Sequence, residues 1–374
     1  MVTCQILTKV ISGSDSLMSL QVYRQERILI VCDDFLKKNG MVDFVLHQLE
    51  QSNKVVIFSG VQPDPSLSIV AKVLVEILRL QPTIIIGFGG GSSIDTVKGA
   101  IYFALHSKII GQKPSFIAIP TTSGTGSEMT SFAVISDPEE QRKIAIIENS
   151  MYADIAILDP HLTLSVPPSI TANTGFDVLT HALEAYVAKA STSFTEGLAY
   201  KVIDLVMKYF ITSYQDGNNM LAREKMAEAS NMAGIAFNMA GLGVVHSMAH
   251  QLGSVFHIPH GMACAIALPI GIQFNSKHGG TAEKYAEIVY QLGLAPRTMK
   301  TIDAVQVLCS TICQLREKTG VVPGISAISN CITLEGYLKE IPQMIEHALQ
   351  DSCLPGNPIP VQATDFADLF HWAY

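Results

Sequence analysis

Charged side chains are scarce in this sequence. Asp, Glu, Lys and Arg make up 16% of its 374 residues, against about 25% in an average soluble domain, while apolar residues make up 48%. A chain of this composition buries much of its length, which excludes disorder for the bulk of it. The formal net charge is −8 and no basic run occurs, so a surface that tracks nucleic-acid phosphates is excluded as well.

Long apolar runs are also missing. The first residues, MVTCQILTKVISGSDSL, lack a basic segment followed by an apolar one, and no uninterrupted apolar stretch reaches the length of about 18 residues that spans a bilayer. We therefore expect a soluble cytoplasmic protein with no membrane partner. The odd number and wide spacing of the cysteines predict reduced, mostly buried thiols that pack in the core. They are Cys4, Cys32, Cys264, Cys309, Cys313, Cys331 and Cys353.

Two patterns follow one another along the chain. Up to about residue 160, short β-branched runs alternate with helical segments, which predicts a parallel α/β sheet covered on both faces. The predicted strands are 28–32, 54–59, 83–86, 115–119 and 155–158, with 4–11 as an earlier one. Beyond about residue 170 only helical patterns remain. We place the boundary in the segment 165–175 and predict an α/β domain over 1–172 and an all-helical domain over 173–374.

A glycine-rich loop follows the third of the five buried strands. Residues 83–100 read TIIIGFGGGSSIDTVKGA, so an apolar strand leads through glycines into a helix. Glycine allows close backbone approach, and a helix N-terminus offers free N–H groups to an anion. Because the loop lacks the GxGxxG spacing, it does not identify a dinucleotide fold by itself. A tight turn is the alternative, but four glycines exceed what a turn needs, and the loop predicts a phosphate cradle.

Two further features favour an extended nucleotide. The loop Thr121–Ser127 (TTSGTGS) follows the next strand, and its hydroxyl groups suit a polar ligand at the carboxyl end of a parallel sheet. Asp33 ends the first buried strand, where a carboxylate can accept the adenosine ribose hydroxyls and repel a 2′-phosphate. The alternative is that Asp33 or Asp34 caps the next helix, with Asp34 the better candidate.

Histidines cluster in the second half. His246, His250, His257 and His260 fall within fifteen residues, and Asp177 lies four residues before His181, so this pair shares a helix face. One carboxylate with several imidazoles suits Fe²⁺ or Zn²⁺. Spacing alone does not decide which of these residues are ligands. We expect His260, which follows Pro259, to lie in a loop, and interpret the other histidines (His47, His106, His161, His278, His347 and His371) as structural.

A dinucleotide and a divalent metal together indicate redox chemistry on an alcohol or a carbonyl. The metal would act as a Lewis acid on the substrate oxygen, and the nicotinamide would exchange a hydride. We expect the two to meet between the domains, where water can be excluded.

Four segments resemble the iron-containing (group III) alcohol dehydrogenases over almost the whole chain: GGGSSIDTVK (89–98), PTTSGTGSE (120–128), DPHLTLSVPPSITANTGFDVLTHALEAY (159–186) and GLGVVHSMAHQLGSVFHIPHG (241–261). The resemblance implies a Rossmann-like α/β domain and a helical, dehydroquinate synthase-like domain. It also implies the metal ligands Asp177, His181, His246 and His260, with His250 beside the nicotinamide as a proton relay and His257 as a neighbour only.

The same resemblance implies the residues that bind NAD(H) and substrate. The pyrophosphate loop is matched by Gly89, Gly90, Gly91, Ser92 and Asp95, and the second nucleotide loop by Thr121, Thr122 and Ser127. Lys143 stands where the family often has a lysine near the nicotinamide ribose. Phe237 matches a position that lines the substrate pocket, although a core phenylalanine is an alternative interpretation.

Within the family, ITANTGFDVLTHALEA is similar to the 1-propanol dehydrogenases of bacterial propanediol utilisation. That branch implies reduction of propanal to 1-propanol with NADH, a homodimer or higher homo-oligomer, and a microcompartment setting. We expect no N-terminal address for encapsulation, since residues 4–11 already form a strand. The alternatives are a butanol, ethanol or lactaldehyde reductase, a dehydroquinate synthase-like lyase and a non-catalytic scaffold. A lyase should bring basic residues to a polyanionic substrate, and residues 231–263 contain none.

Overall fold

The computed structural model describes residues 4–137, 142–328 and 332–374, with the side chains of residues 137, 142 and 143 outside that description. The strands are β1 Lys9–Ser12, β2 Arg27–Asp33, β3 Lys54–Val61, β4 Ile84–Gly89, β5 Ser115–Pro120, β6 Phe132–Asp137, β7 Arg142–Ile147 and β8 Ile155–Leu158. The helices are α1 Asp34–Lys38, α2 Met41–Leu46, α3 Leu67–Leu80, α4 Gly91–His106, α5 Pro168–Val187, α6 Ser193–Gln215, α7 Met220–Ala240, α8 Val244–Phe256, α9 His260–Asn275, α10 Gly279–Gln291, α11 Thr301–Lys318, α12 Leu334–Leu349 and α13 Ala363–Ala373.

A six-stranded parallel sheet organises the first unit. Its order is β1-β8-β5-β4-β2-β3. Alternate residues of the central strands enter two separate cores, because successive side chains of a strand point to opposite faces. Leu29, Ile85 and Phe116 pack with α3 and α4 on one face, while Ile30 and Ile86 pack with α1 and α2 on the other. The predicted parallel sheet with two covered faces is confirmed.

Three features of the first unit differ from expectation. The strand predicted over 4–11 spans only Lys9–Ser12. Strands β6 and β7 form an antiparallel hairpin that the sequence patterns did not predict. The chain also forms two compact units and passes from one to the other three times. Residues 1–166 and 218–238 form the first unit, and residues 167–217 and 239–374 form the second. Hydrogen bonds hold α7 there: Asn231 Nδ2 donates to Glu128 Oε1 at 3.0 Å, and Asn238 Oδ1 accepts from Ser131 N at 3.0 Å.

The regular elements of the second unit are all helices within its described residues, as expected. Helix α5 begins at Pro168, within the segment 165–175 where we placed the domain boundary, because proline is well tolerated in the first turn of a helix. His260 is also not in a loop: it is the first residue of α9, and Pro259 is the N-cap. Within the described residues, no single helix combines the length and apolarity needed to cross a membrane, although α7 and α8 taken together as a bent pair meet that criterion by length and composition alone.

Candidate metal centre and nucleotide-binding loops

The turn between β4 and α4 is built for close approach of a ligand to the backbone. Gly89 has φ 143°, and a Cβ there would lie 2.5 Å from Ser93 Oγ; a Cβ at Gly91 would lie 2.8 Å from the Thr125 side chain. Gly90 is the N-cap of α4 and no side chain caps that helix. The N–H groups of the first turn of α4, including those of Gly91 and Ser92, can therefore bind an anion such as a pyrophosphate.

The second loop lies directly beside the first, because β4 and β5 are neighbours in the sheet. Thr121 N donates to Gly89 O at 3.1 Å. Thr122 Oγ1 would be 3.3 Å from a Cβ on Gly90. The structure thus brings together the glycines and the Thr121 and Thr122 hydroxyls at one edge of the sheet.

Asp95 and Ser127 are bonded to each other and to other groups of the protein. Asp95 accepts hydrogen bonds from Ser127 Oγ at 2.5 Å and from Val134 N at 3.0 Å. The buried Lys98 ammonium donates to Ser127 O and Oγ, at 2.5 and 2.9 Å. Burial lowers the pKa of Lys98 to about 8, although the Asp95 carboxylate opposes that shift. These contacts give Asp95 and Ser127 a role in holding the two loops together. Lys98, for which the sequence motifs predicted no role, takes part in the same contacts.

Asp33 caps helix α1, and the expectation that Asp34 would do so was wrong. Asp33 Oδ1 accepts from Leu36 N at 2.8 Å, whereas Asp34 is inside the first turn and pairs with Lys38 at 2.5 Å. Asp33 has the extended backbone that an N-cap requires. Its other oxygen, Oδ2, accepts no hydrogen bond from the described residues and can still bind a ribose hydroxyl.

Two predicted cofactor or substrate residues lie elsewhere in the first unit. Phe237 is buried in α7, and its ring meets that of Phe132 edge to face with centroids 5.9 Å apart. Lys143 lies in β7 opposite Ser136, but its side chain is outside the described part of the structure.

In the second unit, three helices converge on the Asp177 carboxylate. Asp177 and His181 lie on α5, His246 on α8 and His260 on α9. Asp177 Oδ1 is 3.3 Å from His260 Nε2 and 3.7 Å from Nε2 of both His246 and His181. Ligands about 2.05 Å from a tetrahedral ion are separated by about 3.3 Å, so the three distances from Asp177 Oδ1 are close to those within one coordination sphere.

The protonation of the group fits a cation. His246 Nε2 is buried and has no hydrogen-bond partner among the described residues, while its Nδ1 lies 2.5 Å from Glu184 Oε2. Burial would raise the pKa of Asp177, but the attraction of His181 and His260 holds it well below its ordinary range. A buried carboxylate that stays charged beside an unpartnered imidazole nitrogen is the environment that a divalent ion satisfies.

His250 is one turn after His246 but is held by a different carboxylate. Its Nδ1 lies 2.8 Å from Asp351 Oδ2, and its ring stacks on that of His260 with centroids 5.4 Å apart. The other Asp351 oxygen accepts from Cys353 N at 2.9 Å. With the Nδ1 proton directed at Asp351, His250 Nε2 is left to exchange a proton. His257 ends α8 in a left-handed conformation, with φ 55°, and is exposed.

Three residues of this region were not singled out by the sequence patterns: Glu184, Cys264 and Asp351. Glu184 follows His181 by three residues on α5, and Cys264 follows His260 by four on α9, so helical spacing could have placed both beside the ligands. Asp351 is 101 residues from His250, and no local pattern connects them.

Comparison with known proteins decides the family. The model of the iron-containing alcohol dehydrogenases matches residues 8–160, and that of the Fe-containing alcohol dehydrogenase family, C-terminal, matches residues 171–374. The chain belongs to the iron-containing alcohol dehydrogenase family. It is 41% identical to the 1-propanol dehydrogenase PduQ of Salmonella typhimurium over 98% of both chains. It is 35% identical to the NADPH-dependent butanol dehydrogenase of Clostridium saccharobutylicum over 97% of this chain and 95% of that one.

Solved structures of this family share the fold over the full chain. A 1,3-propanediol oxidoreductase superposes with a TM-score of 0.93 at 33% identity, covering 100% of both chains. The sulfoacetaldehyde reductase of Bifidobacterium kashiwanohense, solved in complex with NAD⁺, superposes with a TM-score of 0.87 at 25% identity, covering 100% of this chain and 98% of that one. The family expected from the motifs is confirmed, and with it a metal-dependent, nicotinamide-linked enzyme.

Proposed function

We propose that this protein interconverts short primary alcohols and aldehydes with NAD(H), and that its physiological reaction is the reduction of propanal to 1-propanol. The observation that carries the proposal is the convergence of Asp177, His181, His246 and His260, with the His250–Asp351 pair beside them. The 41% identical relative that is named a 1-propanol dehydrogenase supports the choice of substrate.

The metal site would be formed by Asp177 and the three histidines. When bound there, Fe²⁺ or Zn²⁺ supplies Lewis acidity, which polarises the substrate carbonyl and lowers the pKa of the corresponding alcohol. Glu184 fixes His246 in the tautomer that leaves Nε2 free, because its carboxylate accepts the Nδ1 proton.

The chain's other residues bind the cofactor and move the proton. The N-terminus of α4 binds the pyrophosphate, with the Thr121 and Thr122 hydroxyls beside it, and Asp33 Oδ2 accepts a ribose hydroxyl. The nicotinamide would supply the hydride, and His250 Nε2, or a water that it holds, gives a proton to the substrate oxygen. Asp351 keeps His250 in the required tautomer. We retain Phe237 as a residue of the substrate pocket and Lys143 as a neighbour of the nicotinamide ribose.

Activity and metal content together test this function. Anaerobic oxidation of NADH should be fastest with propanal in a series of aldehydes from acetaldehyde to hexanal, and elemental analysis should find one Fe²⁺ or Zn²⁺ per chain. A preference for butanal would favour the butanol dehydrogenase alternative. Absence of turnover with every aldehyde and alcohol, in protein that carries its metal, would refute the proposal.

Variants of the metal site separate its residues by role. Asp177→Ala and His260→Ala should each lose metal and turnover but keep the circular dichroism of the native protein. His250→Ala should keep its metal and turn over more slowly, because it removes a proton relay and not a ligand. His161→Ala is a matched control, since that imidazole pairs with Asp159 in the other unit. Full activity with stoichiometric metal in Asp177→Ala or His260→Ala would contradict the assignment.

For assembly and location, we propose a homodimer or higher homo-oligomer that acts in the cytoplasm or, through a partner enzyme, in a bacterial microcompartment. The support is the resemblance to the propanediol-utilisation branch. A fluorescent protein fused to residues 1–20 should remain diffuse when it is expressed with a complete shell. Punctate fluorescence would show that those residues are a sufficient address and would refute partner-mediated entry.

A further inference from the structure

A thiol lies within the candidate metal centre. Cys264 follows His260 by one helical turn on α9, so both side chains are on the same face. Its sulfur is 3.6 Å from His260 Nε2 and 3.9 Å from Asp177 Oδ1, and the side chain is fully buried. The donor atoms of Asp177, His246, His260 and Cys264 all lie within 4.8 Å of one another.

These separations are those of donors to a single ion. With Cys264 the ion has five protein donors; bonds of about 2.3 Å to sulfur and about 2.05 Å to nitrogen or oxygen then meet at about 90–120°, which places sulfur about 3.1–3.8 Å from the other donors. The sulfur of Cys264 is within or slightly beyond that range from both His260 Nε2 and Asp177 Oδ1. A shift of Cys264 on α9 by only a few tenths of an ångström would therefore bring its sulfur to bonding distance from the ion.

Two observations distinguish Cys264 from an ordinary core thiol. Its sulfur is within 4 Å of a carboxylate oxygen and an imidazole nitrogen, whereas Cys309, which is also buried, contacts a backbone carbonyl of α9, that of Pro269. In addition, His246 Nε2 is buried without a hydrogen-bond partner among the described residues and lies 3.7 Å from the same Asp177 oxygen. A buried nitrogen with no hydrogen-bond partner, such as His246 Nε2, indicates that a ligand occupies the space beside it, which Cys264 also borders.

We propose that Cys264 is a further ligand of the metal held by Asp177 and the histidines, and that it biases the centre towards thiophilic ions. On binding, the sulfur gives a lone pair to the ion and the thiol proton leaves to water, so the step involves no oxidant or reductant. Thiolate ligands favour Zn²⁺ and similar ions over Mg²⁺ and Mn²⁺. The inference rests on the proposed function only in requiring a metal at this site.

Cobalt provides a readout that does not depend on turnover. Protein freed of metal and loaded with one Co²⁺ per chain should show an intense near-ultraviolet band from sulfur-to-cobalt charge transfer, in addition to weak visible bands. Cys264→Ala should keep the bound Co²⁺ and the visible bands but lose the near-ultraviolet band. Cys309→Ala, which removes a buried thiol outside the centre, should retain both.

X-ray absorption of the zinc-loaded wild-type protein keeps the test decisive if Cys264→Ala does not fold. A scattering path at about 2.3 Å is expected for a Zn–S bond, beside shorter paths at about 2.0–2.1 Å to nitrogen and oxygen. A zinc shell of nitrogen and oxygen only, or a charge-transfer band that survives in Cys264→Ala, would overturn the proposal. Such a result in protein that still reduces propanal would leave the proposed function intact, while a sulfur ligand in protein that turns over no substrate would refute only the function.

Discussion

Glu184 offers a sharp test of how the centre is organised, because it touches no predicted ligand atom and yet controls one. Its Oε2 lies 2.5 Å from His246 Nδ1, and its Oε1 accepts from Val245 N at 2.7 Å. A glutamine in this buried position has the same shape but only one acceptor. Either the Val245 N–H or the His246 Nδ1–H must then face an amide NH₂ group.

The cost of Glu184→Gln falls on metal binding. If the NH₂ group faces His246 Nδ1, the imidazole moves its proton to Nε2, which is the atom that must bind the ion. Loss of such a partner typically weakens metal affinity by about 10- to 100-fold, which corresponds to about 1.4–2.7 kcal/mol. That range agrees with the loss of one hydrogen bond to a charged group, about 1.5–3 kcal/mol.

Competition with a chromogenic chelator measures this effect directly. The dissociation constant for Zn²⁺ should rise about 10- to 100-fold in Glu184→Gln, and activity should recover as zinc is added in excess. Glu196→Gln is the matched control, since that carboxylate pairs with Lys284 near the surface of the same unit and should leave zinc affinity unchanged. A Glu184→Gln protein with wild-type zinc affinity would show that Glu184 does not set the tautomer of His246.

Three further changes test other parts of the structure. The Asp351→Asn protein should retain its metal, but its kcat should fall by about 10- to 100-fold, as for other carboxylates that support a metal site. The reason is that His250 loses the acceptor of its Nδ1 proton. Measuring kcat and metal content in the same preparation tests this. Asp33→Gly should reduce the preference for NADH over NADPH at a cost of only a few tenths of a kcal/mol, since glycine is a tolerable N-cap; unchanged discrimination in kcat/KM would place the ribose elsewhere. Lys98→Met should destabilise the first unit by about 3–5 kcal/mol, because it leaves a buried carboxylate without its cation. Lys38→Met, at an exposed pair, should leave the free energy of urea unfolding almost unchanged.

The sequence predicted the elements whose burial is uniform. The central strands have apolar, buried middles and the loop before α4 is rich in glycine, so β2, β4, β5 and that loop were recognisable from composition alone. The hairpin of β6 and β7 was not, because partly exposed residues alternate with buried ones in β6 and with exposed ones in β7, so neither strand is a continuous apolar run. Helix α9 was missed for a different reason: Pro259 suggested a loop, although proline is also acceptable at the start of a helix.

The candidate site was predictable only where its residues share a local pattern. Asp177 with His181, and His246 with His250, follow helical spacing within one segment. The contact of Asp351 with His250, and that of Asp95 with Val134, join distant parts of the chain. Such contacts depend on how the elements pack, and the local patterns of a single sequence do not show which distant residues will meet. Asp33 shows the opposite limit: two adjacent carboxylates compete for one cap, and backbone geometry rather than residue type decides between them.

The return of α7 to the first unit has a consequence for how the protein is made. Residues 218–238 complete that unit, and the backbones of Gly126 and Gly234 approach so closely that a Cβ on Gly126 would lie 2.7 Å from Gly234 Cα. When residues 1–166 have emerged from the ribosome, α7, which packs against the loop Thr121–Ser127, has therefore not yet been synthesised. The first unit therefore stays incomplete while a further stretch of 51 residues, 167–217, is synthesised, and it can be completed only after Gly234 has emerged.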